Sequence, residues 1–160
     1  MITCTRRLQF CCGHRIQKHE SKCRNLHGHN YVAFFEARAD ILDRAGRIID
    51  FGVLKQRIGG WIDAEWDHGF VLDAADSIAL DAVKLLPGQK IFTVPFPPTA
   101  ENMASYLLRV VCPQVMADSG VEVFRVTLWE TENCYASDQL GGAATAAAPG
   151  SGSMRRGGNG

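Results

Sequence analysis

Four of the five histidines in the chain fall in the segment 14–29, three of them as His14 and then His27-Gly28-His29. Residues i and i+2 of a β-strand point to the same face. A His-Gly-His segment in extended conformation therefore aims both imidazoles at one point, whereas on a helix they would diverge by roughly 200°. His14 can reach the same point from a neighbouring strand. The glycine lets the backbone pack tightly between the two imidazoles. Three neutral imidazoles with no fourth ligand demanded form the protein half of a catalytic zinc site, which keeps one position open.

Other residues with chemical potential lie around this cluster. Cys23 stands four residues before His27, among polar neighbours, with Lys22 and Arg24 beside it. It can close a structural zinc site as a fourth ligand, or stand beside an open one as base or nucleophile. Asp67 directly precedes His68, and a carboxylate beside an imidazole can orient it for proton transfer. The alternative for His68 is a helix-terminal histidine favoured by the macrodipole. Glu130 ends an apolar run; in a cleft, its carboxylate suits a bidentate pair with the N–H edge of a pterin or guanine ring. Thr99 and Glu101 precede a helical pattern, where capping is the plain alternative. His19 shows no partner in the sequence and is expected at the surface.

These groups need strands and helices to place them. Thr3 to Cys12 reads as a strand, and Asn30 to Ala39, with Tyr31, Val32, Phe34 and Phe35, as another. Asp43-Arg44-Ala45-Gly46 is a turn. Asp50 caps a helix from about Gly52 to Glu65, with Phe51, Leu54, Ile58, Trp61 and Ile62 as its buried stripe. Asp76 to Val83 is a short helical turn, and Lys90 to Val94 a short strand ended by Pro95, Pro97 and Pro98. Thr99 caps a second long helix carrying Ala100, Met103, Leu107, Val110 and Val111. A capping box needs Glu at position 102; Asn102 stands there and Glu101 comes one residue early, which leaves Glu101 available for another task. A last strand, Val121 to Glu130, puts Phe124, Val126, Leu128 and Glu130 on one face. This order of elements suggests an α+β fold.

The chain has 160 residues, with 17 Lys+Arg balanced by 17 Asp+Glu. That length suits one domain, and a neutral chain gives no field that favours nucleic acid or an anionic membrane. No apolar run approaches the ~20 residues of a membrane span, and the N-terminus lacks an apolar signal region. The six cysteines form no CxxC pair and are expected to be reduced thiols of a cytoplasmic protein. Residues 141–160 are mostly Gly, Ala and Ser and are expected to be a disordered tail behind a folded domain of residues 1–140.

Taken in order, Phe10-Cys11-Cys12-Gly13-His14, Cys23-Arg24-Asn25-Leu26-His27-Gly28-His29-Asn30-Tyr31, Ile48-Ile49-Asp50-Phe51, Trp66-Asp67-His68, Pro98-Thr99-Ala100-Glu101-Asn102 and Glu130-Thr131 resemble the 6-pyruvoyltetrahydropterin synthase and 6-carboxytetrahydropterin synthase family. The resemblance spans nearly the whole domain. It implies a tunnelling fold: an antiparallel four-stranded sheet with two helices packed on one face, oligomerising into a barrel. A homohexamer built as a dimer of trimers is expected, with active sites between subunits. The short stretch from Cys23 to His27 is similar to the carboxy-forming branch. That branch converts 7,8-dihydroneopterin triphosphate to 6-carboxy-5,6,7,8-tetrahydropterin with loss of acetaldehyde and triphosphate, on the way to queuosine and other 7-deazapurines.

Carried over residue by residue, the resemblance assigns Zn2+ to His14, His27 and His29, and the catalytic base to Cys23. It assigns the proton relay to Asp67 with His68, the pterin anchor to Glu130, and pocket-lining roles to Thr99 and Glu101. The partner implied is a small-molecule pterin triphosphate, with no nucleic acid and no membrane. Lys18, Lys22 and Arg24 are candidates for the triphosphate. The chain departs from the family at Cys12-Gly13, which puts a thiol on the strand face of His14, and in a long segment from Leu72 to Pro97 that is expected to be a lid or a subunit contact. Two other functions stay open here: the sister 6-pyruvoyl-forming lyase, and a non-catalytic zinc- or pterin-binding module.

Overall fold

The computed structural model describes residues 2–141. The tail expected over 141–160 lies, apart from Gly141, outside the described residues. The first strand, β1 (Cys4–His14), pairs antiparallel with β2 (His27–Arg38) from Cys4↔Ala37 to His14↔His27. β2 pairs antiparallel with β5 (Glu122–Thr131), and β5 with β6 (Cys134–Gln139). On the other side, β1 pairs parallel with β3 (Gly69–Asp73), and β3 parallel with β4 (Ile91–Val94). The sheet order is β4-β3-β1-β2-β5-β6.

The fold class is the α+β arrangement expected, but the sheet has six strands rather than four, and two of its joints are parallel. The long segment after Leu72 explains one edge. β3, the helix α2 (Ser77–Lys84) and β4 form a β-α-β crossover, the connection that parallel neighbours require. That segment widens the sheet here. β6, of sequence CYASDQ, is mostly exposed and lacks the apolar alternation by which a strand is read.

Two long helices cover the sheet face that carries Leu8, Phe10, Tyr31, Ala33, Phe35, Val126 and Leu128. The first, α1, spans residues 51–65 as α-helical Phe51–Leu54, π-helical Lys55–Gly59 and α-helical Gly60–Glu65. The second, α3, spans residues 100–116 with a π-helical stretch Leu107–Val111 at its centre. The caps are as expected: Asp50 Oδ1 accepts from the Gly52 amide at 2.7 Å and Thr99 Oγ1 from the Asn102 amide at 3.3 Å. The buried stripes differ from a regular 3.6-residue pattern. They fall at Leu54, Ile58 and Ile62 in α1, and at Met103, Leu107 and Val111 beside Ala104, Leu108 and Cys112 in α3.

In an α-helix a strict four-residue repeat drifts about 40° per step. The wider π turns take up that drift and keep each stripe on the sheet. For the same reason Val110 is exposed rather than buried, and Phe51, in the first turn, is exposed too. Each fully buried Leu or Ile in these stripes contributes roughly 1.5–3 kcal/mol. In β5 a bulge opposite Glu36/Ala37 removes Phe124 from the face of Val126 and Leu128. Phe124 packs under the Arg38 guanidinium instead, 5.1 Å away.

Candidate active site

The antiparallel register sets His14 opposite His27 and Cys12 opposite His29. Directly opposed residues share a face, so three imidazoles from two strands meet on the helix-covered side at the end of the β1–β2 pair that the connection 15–26 closes. Their ligand atoms all lie within 4.8 Å of one another. His14 Nδ1 is 2.8 Å from the Pro98 carbonyl, and His27 Nδ1 is 2.8 Å from the Asn25 carbonyl. A carbonyl can only accept, so each Nδ1 carries the proton and each Nε2 presents a lone pair. Those two Nε2 atoms stand 3.1 Å apart. His29 Nε2 is buried and has no hydrogen-bond partner among the described residues.

Glu130 Oε1 approaches the same point, 3.4 Å from His14 Nε2 and 3.8 Å from His29 Nε2. Converging lone pairs beside a carboxylate oxygen repel one another unless a cation lies among them. The residues present therefore fit a divalent metal. Backbone carbonyls behind two of the imidazoles act as the outer shell that orients metal-binding histidines. Burial lowers the pKa of His14 and of His29, against the opposing pull of Glu130 and, for His14, of the Pro98 bond. Both rings are thereby held neutral, the form that ligates. Gly28 lies between two of the ligands with no room for a side chain: a Cβ there would sit 3.0 Å from the Cys12 carbonyl oxygen.

Neither Cys23 nor Cys12 joins this cluster among the described residues. Cys12 is buried, and burial pushes its thiol well above the usual range, so it stays a neutral S–H. Cys23 comes from the one-turn 3-10 helix Lys22–Arg24 in the loop between β1 and β2. It lines a cavity of about 280 Å³ together with His14, His19, Thr99, Ala100, Glu101, Glu130 and Tyr135. Glu101, released from capping by its register, thus lines the cavity that His14 flanks. Lys18, Lys22 and Arg24 are exposed on the same loop.

Among the described residues, His68 and Cys23 line different cavities of the chain. Asp67 and His68 follow α1, and His68 lines a second cavity of about 420 Å³ with Cys11, Gly13, His29, Asn30 and Phe70, so that this cavity borders the imidazole cluster through His29. The dyad itself is well made. Asp67 Oδ2 lies 2.7 Å from His68 Nδ1, and Asp67 Oδ1 accepts from the Cys11 amide at 2.8 Å. Partial burial pushes the Asp67 carboxyl up, but the Cys11 amide, His68 and Lys90 outweigh it and hold it below the ordinary carboxylate range. The His68 amide donates to the Cys11 carbonyl at 2.7 Å, and His68 adopts a left-handed backbone with φ 56°.

Several participants were not singled out in the sequence. Tyr31 is fully buried, and its hydroxyl is 3.4 Å from Glu130 Oε1. Burial, with Cys12 and Glu130 near it, raises the phenol's pKa, so it remains an O–H donor to Glu130. The His-x-His-x-Tyr alternation was the available signal. Arg15 Nε lies 3.1 Å from Asp76 Oδ2, and this nearly inaccessible Asp76 ties α2 to the end of β1 beside His14. His19, expected at the surface without a partner, is half-buried and accepts from the Ser21 amide at 2.9 Å. The loop sequence 15–21 carries no pattern that would reveal that bond.

A curled mixed sheet backed by two helices, with three converging imidazoles at one strand end, defines a tunnelling-fold protein with a metal-competent centre. Solved structures share the architecture. An uncharacterized protein of Wolinella succinogenes matches with TM-score 0.72 and 23% identity, over 86% of this chain and 97% of that one. The 6-pyruvoyl tetrahydropterin synthase of Caenorhabditis elegans matches with TM-score 0.64 and 23% identity, over 88% of this chain and 96% of that one.

A family model described as 6-pyruvoyl tetrahydropterin synthase matches residues 3–139, and the chain belongs to that family. It is similar to the 6-carboxy-5,6,7,8-tetrahydropterin synthase of Rickettsia typhi, at 41% identity over 135 residues, 84% of this chain and 98% of that protein. The protein of the same name from Aquifex aeolicus is 32% identical over 145 residues, 77% of this chain and 88% of that one. The chain is an enzyme of the lyase type. No helix among the described residues is long and apolar enough to cross a membrane.

Proposed function

We propose that this chain is a zinc-dependent carbon–carbon lyase that converts 7,8-dihydroneopterin triphosphate, with uptake of one water, to 6-carboxy-5,6,7,8-tetrahydropterin, releasing acetaldehyde and triphosphate, in queuosine and 7-deazapurine biosynthesis in the cytoplasm. The observation that carries this reading is the convergence of His14, His27 and His29, with His14 on the wall of the cavity that Cys23 and Glu130 also line. His14, His27 and His29 would hold the zinc, which when bound supplies Lewis-acid polarisation of the substrate's side-chain oxygens.

Glu130, kept in place by the Tyr31 hydroxyl, accepts from the N–H edge of the pterin, and Thr99 and Glu101 line the ring's pocket. Cys23 takes the proton from the side-chain carbon, and the electron-poor ring absorbs the developing charge. His68, oriented by Asp67, returns a proton. Because Cys23 and His68 line different cavities of one chain, the returning dyad comes from a second copy, in keeping with a homohexamer whose sites lie between subunits.

The test is incubation of zinc-loaded protein with dihydroneopterin triphosphate and identification of products by mass. 6-Carboxytetrahydropterin with acetaldehyde is expected; 6-pyruvoyltetrahydropterin, or no turnover, would overturn the reading. His27→Ala is expected to lose stoichiometric zinc, and retention of it would overturn the ligand assignment.

A further inference from the structure

We propose that Lys90 is a positioning residue for the Asp67–His68 dyad, pinning the backbone carbonyl of Asp67 so that His68 presents its ring in one orientation. The Lys90 ammonium donates to the Asp63 carbonyl and to the Asp67 carbonyl, each at 2.8 Å. The first closes the C-terminal turn of α1, where a cation also meets the negative end of the helix. The second fixes the peptide between Asp67 and His68. Strand pairing fixes the lysine itself, because its carbonyl accepts from the Phe70 amide at 3.0 Å.

Two further features show that the surroundings are shaped to this lysine. Its stem passes directly over Gly69: a Cβ on residue 69 would lie 2.9 Å from Lys90 Cδ and 3.0 Å from Cγ. A side chain on the residue after the dyad would therefore displace that stem, and glycine leaves it in place to carry the ammonium to both carbonyls. Meanwhile the His68 side chain is 80% exposed and touches Asp67 alone among the hydrogen-bond partners described. Little packing holds the ring, and its left-handed backbone, φ 56°, is one that residues with a Cβ seldom adopt. Orientation must come from the main chain, through the Cys11 carbonyl on one side and Lys90 on the other. The segment 72–97 thus does more than widen the sheet, since β3, α2 and the start of β4 deliver this ammonium behind the dyad.

The inference rests on the role proposed for Asp67 and His68, and the experiment separates the two. Zinc-loaded Lys90→Met, which keeps the stem and loses the donors, is compared with wild type. Expected are a fall of about tenfold in kcat, a KM within about twofold of wild type and full zinc content. Amide hydrogen exchange at His68 is expected to quicken about tenfold while the β1–β2 amides keep their rates. Gly69→Ala, which retains the lysine but displaces its stem, should give the same pattern. Wild-type kcat in Lys90→Met, unchanged exchange at His68, or a joint collapse of kcat, KM and zinc content would each overturn it. If wild type itself shows no turnover, the proposed reaction falls and the exchange comparison alone decides the lysine's role.

Discussion

Replacing Asp67 by Asn removes one charge and one acceptor while keeping the shape. The carboxylate serves two donors, the Cys11 amide at 2.8 Å and His68 Nδ1 at 2.7 Å. An amide has a single acceptor oxygen. If that oxygen stays with the Cys11 amide, the new NH2 faces His68 Nδ1, which must then become the acceptor and move its proton to Nε2. The imidazole then holds its single proton on Nε2 with no carboxylate to stabilise the imidazolium, the form that gives a proton up readily, and is left a poor acid. Loss of one charge-assisted bond of about 1.5–3 kcal/mol, partly replaced by a neutral one of about 1 kcal/mol, puts the stability loss at about 1–2 kcal/mol.

The chemical step should fall by about 10²–10⁴, with KM nearly unchanged. The stability loss should also depend on pH. Asp67 is held below its ordinary value, so its contribution is present above the unfolded pKa of about 3.9 and is lost as pH falls through the lowered folded value. Wild type and Asp67→Asn should therefore differ in urea midpoint at pH 7 and converge in acid. Steady-state kinetics, ¹⁵N spectra of the His68 ring and urea titrations at two pH values check all three. A kcat within twofold of wild type, with the ring still protonated at Nδ1, would refute the relay.

Other perturbations separate metal, base, anchor and core. Cys23→Ala should retain full zinc, because the thiol lies outside the imidazole cluster, and lose at least about 10² in turnover; metal analysis alongside kinetics checks both. Glu130→Ala should weaken pterin binding by about tenfold or more, the worth of a charge-assisted pair, and an unchanged dissociation constant would count against the anchor. Leu108→Ala, fully buried between α3 and the sheet, should cost about 2–5 kcal/mol in urea unfolding without altering zinc content. Asp76→Ala strands the Arg15 guanidinium beside His14 and should destabilise by about 3–5 kcal/mol, read as a lower unfolding midpoint.

The parts of the fold legible in sequence were those governed by strong local periodicity. The alternation from Tyr31 to Ala37 and the caps at Asp50 and Thr99 led to β2, α1 and α3 with boundaries a few residues short. The metal-competent trio was legible because an i, i+2 histidine pair leaves few arrangements other than convergence on a strand. What escaped depended on tertiary context. β6 is polar, and nothing in CYASDQ announces that β5 will supply its ladder. The bulge that turns Phe124 away is set by pairing with β2 and leaves no mark on the alternation of β5. The four-residue stripes of α1 and α3 became intelligible only with their π turns. Lys90 donates to carbonyls, and a carbonyl partner has no residue type to read. The separation of Cys23 from His68 is likewise a property of how the chain curls.

All three imidazoles belong to one antiparallel ribbon, residues 4–38, closed by a short connection. The groups that refine them, the Pro98 carbonyl and Glu130, arrive from much later in the chain. During synthesis the chelating ribbon can thus form while the helices and β5 are still unmade. An early ion would stiffen this ribbon as a template for the remaining sheet, since metal affinity is folding free energy for whatever structure supplies the ligands. The emerging polypeptide would grip metal first and acquire its discriminating outer contacts last, so the supply of ions around the ribosome bears on which one is trapped.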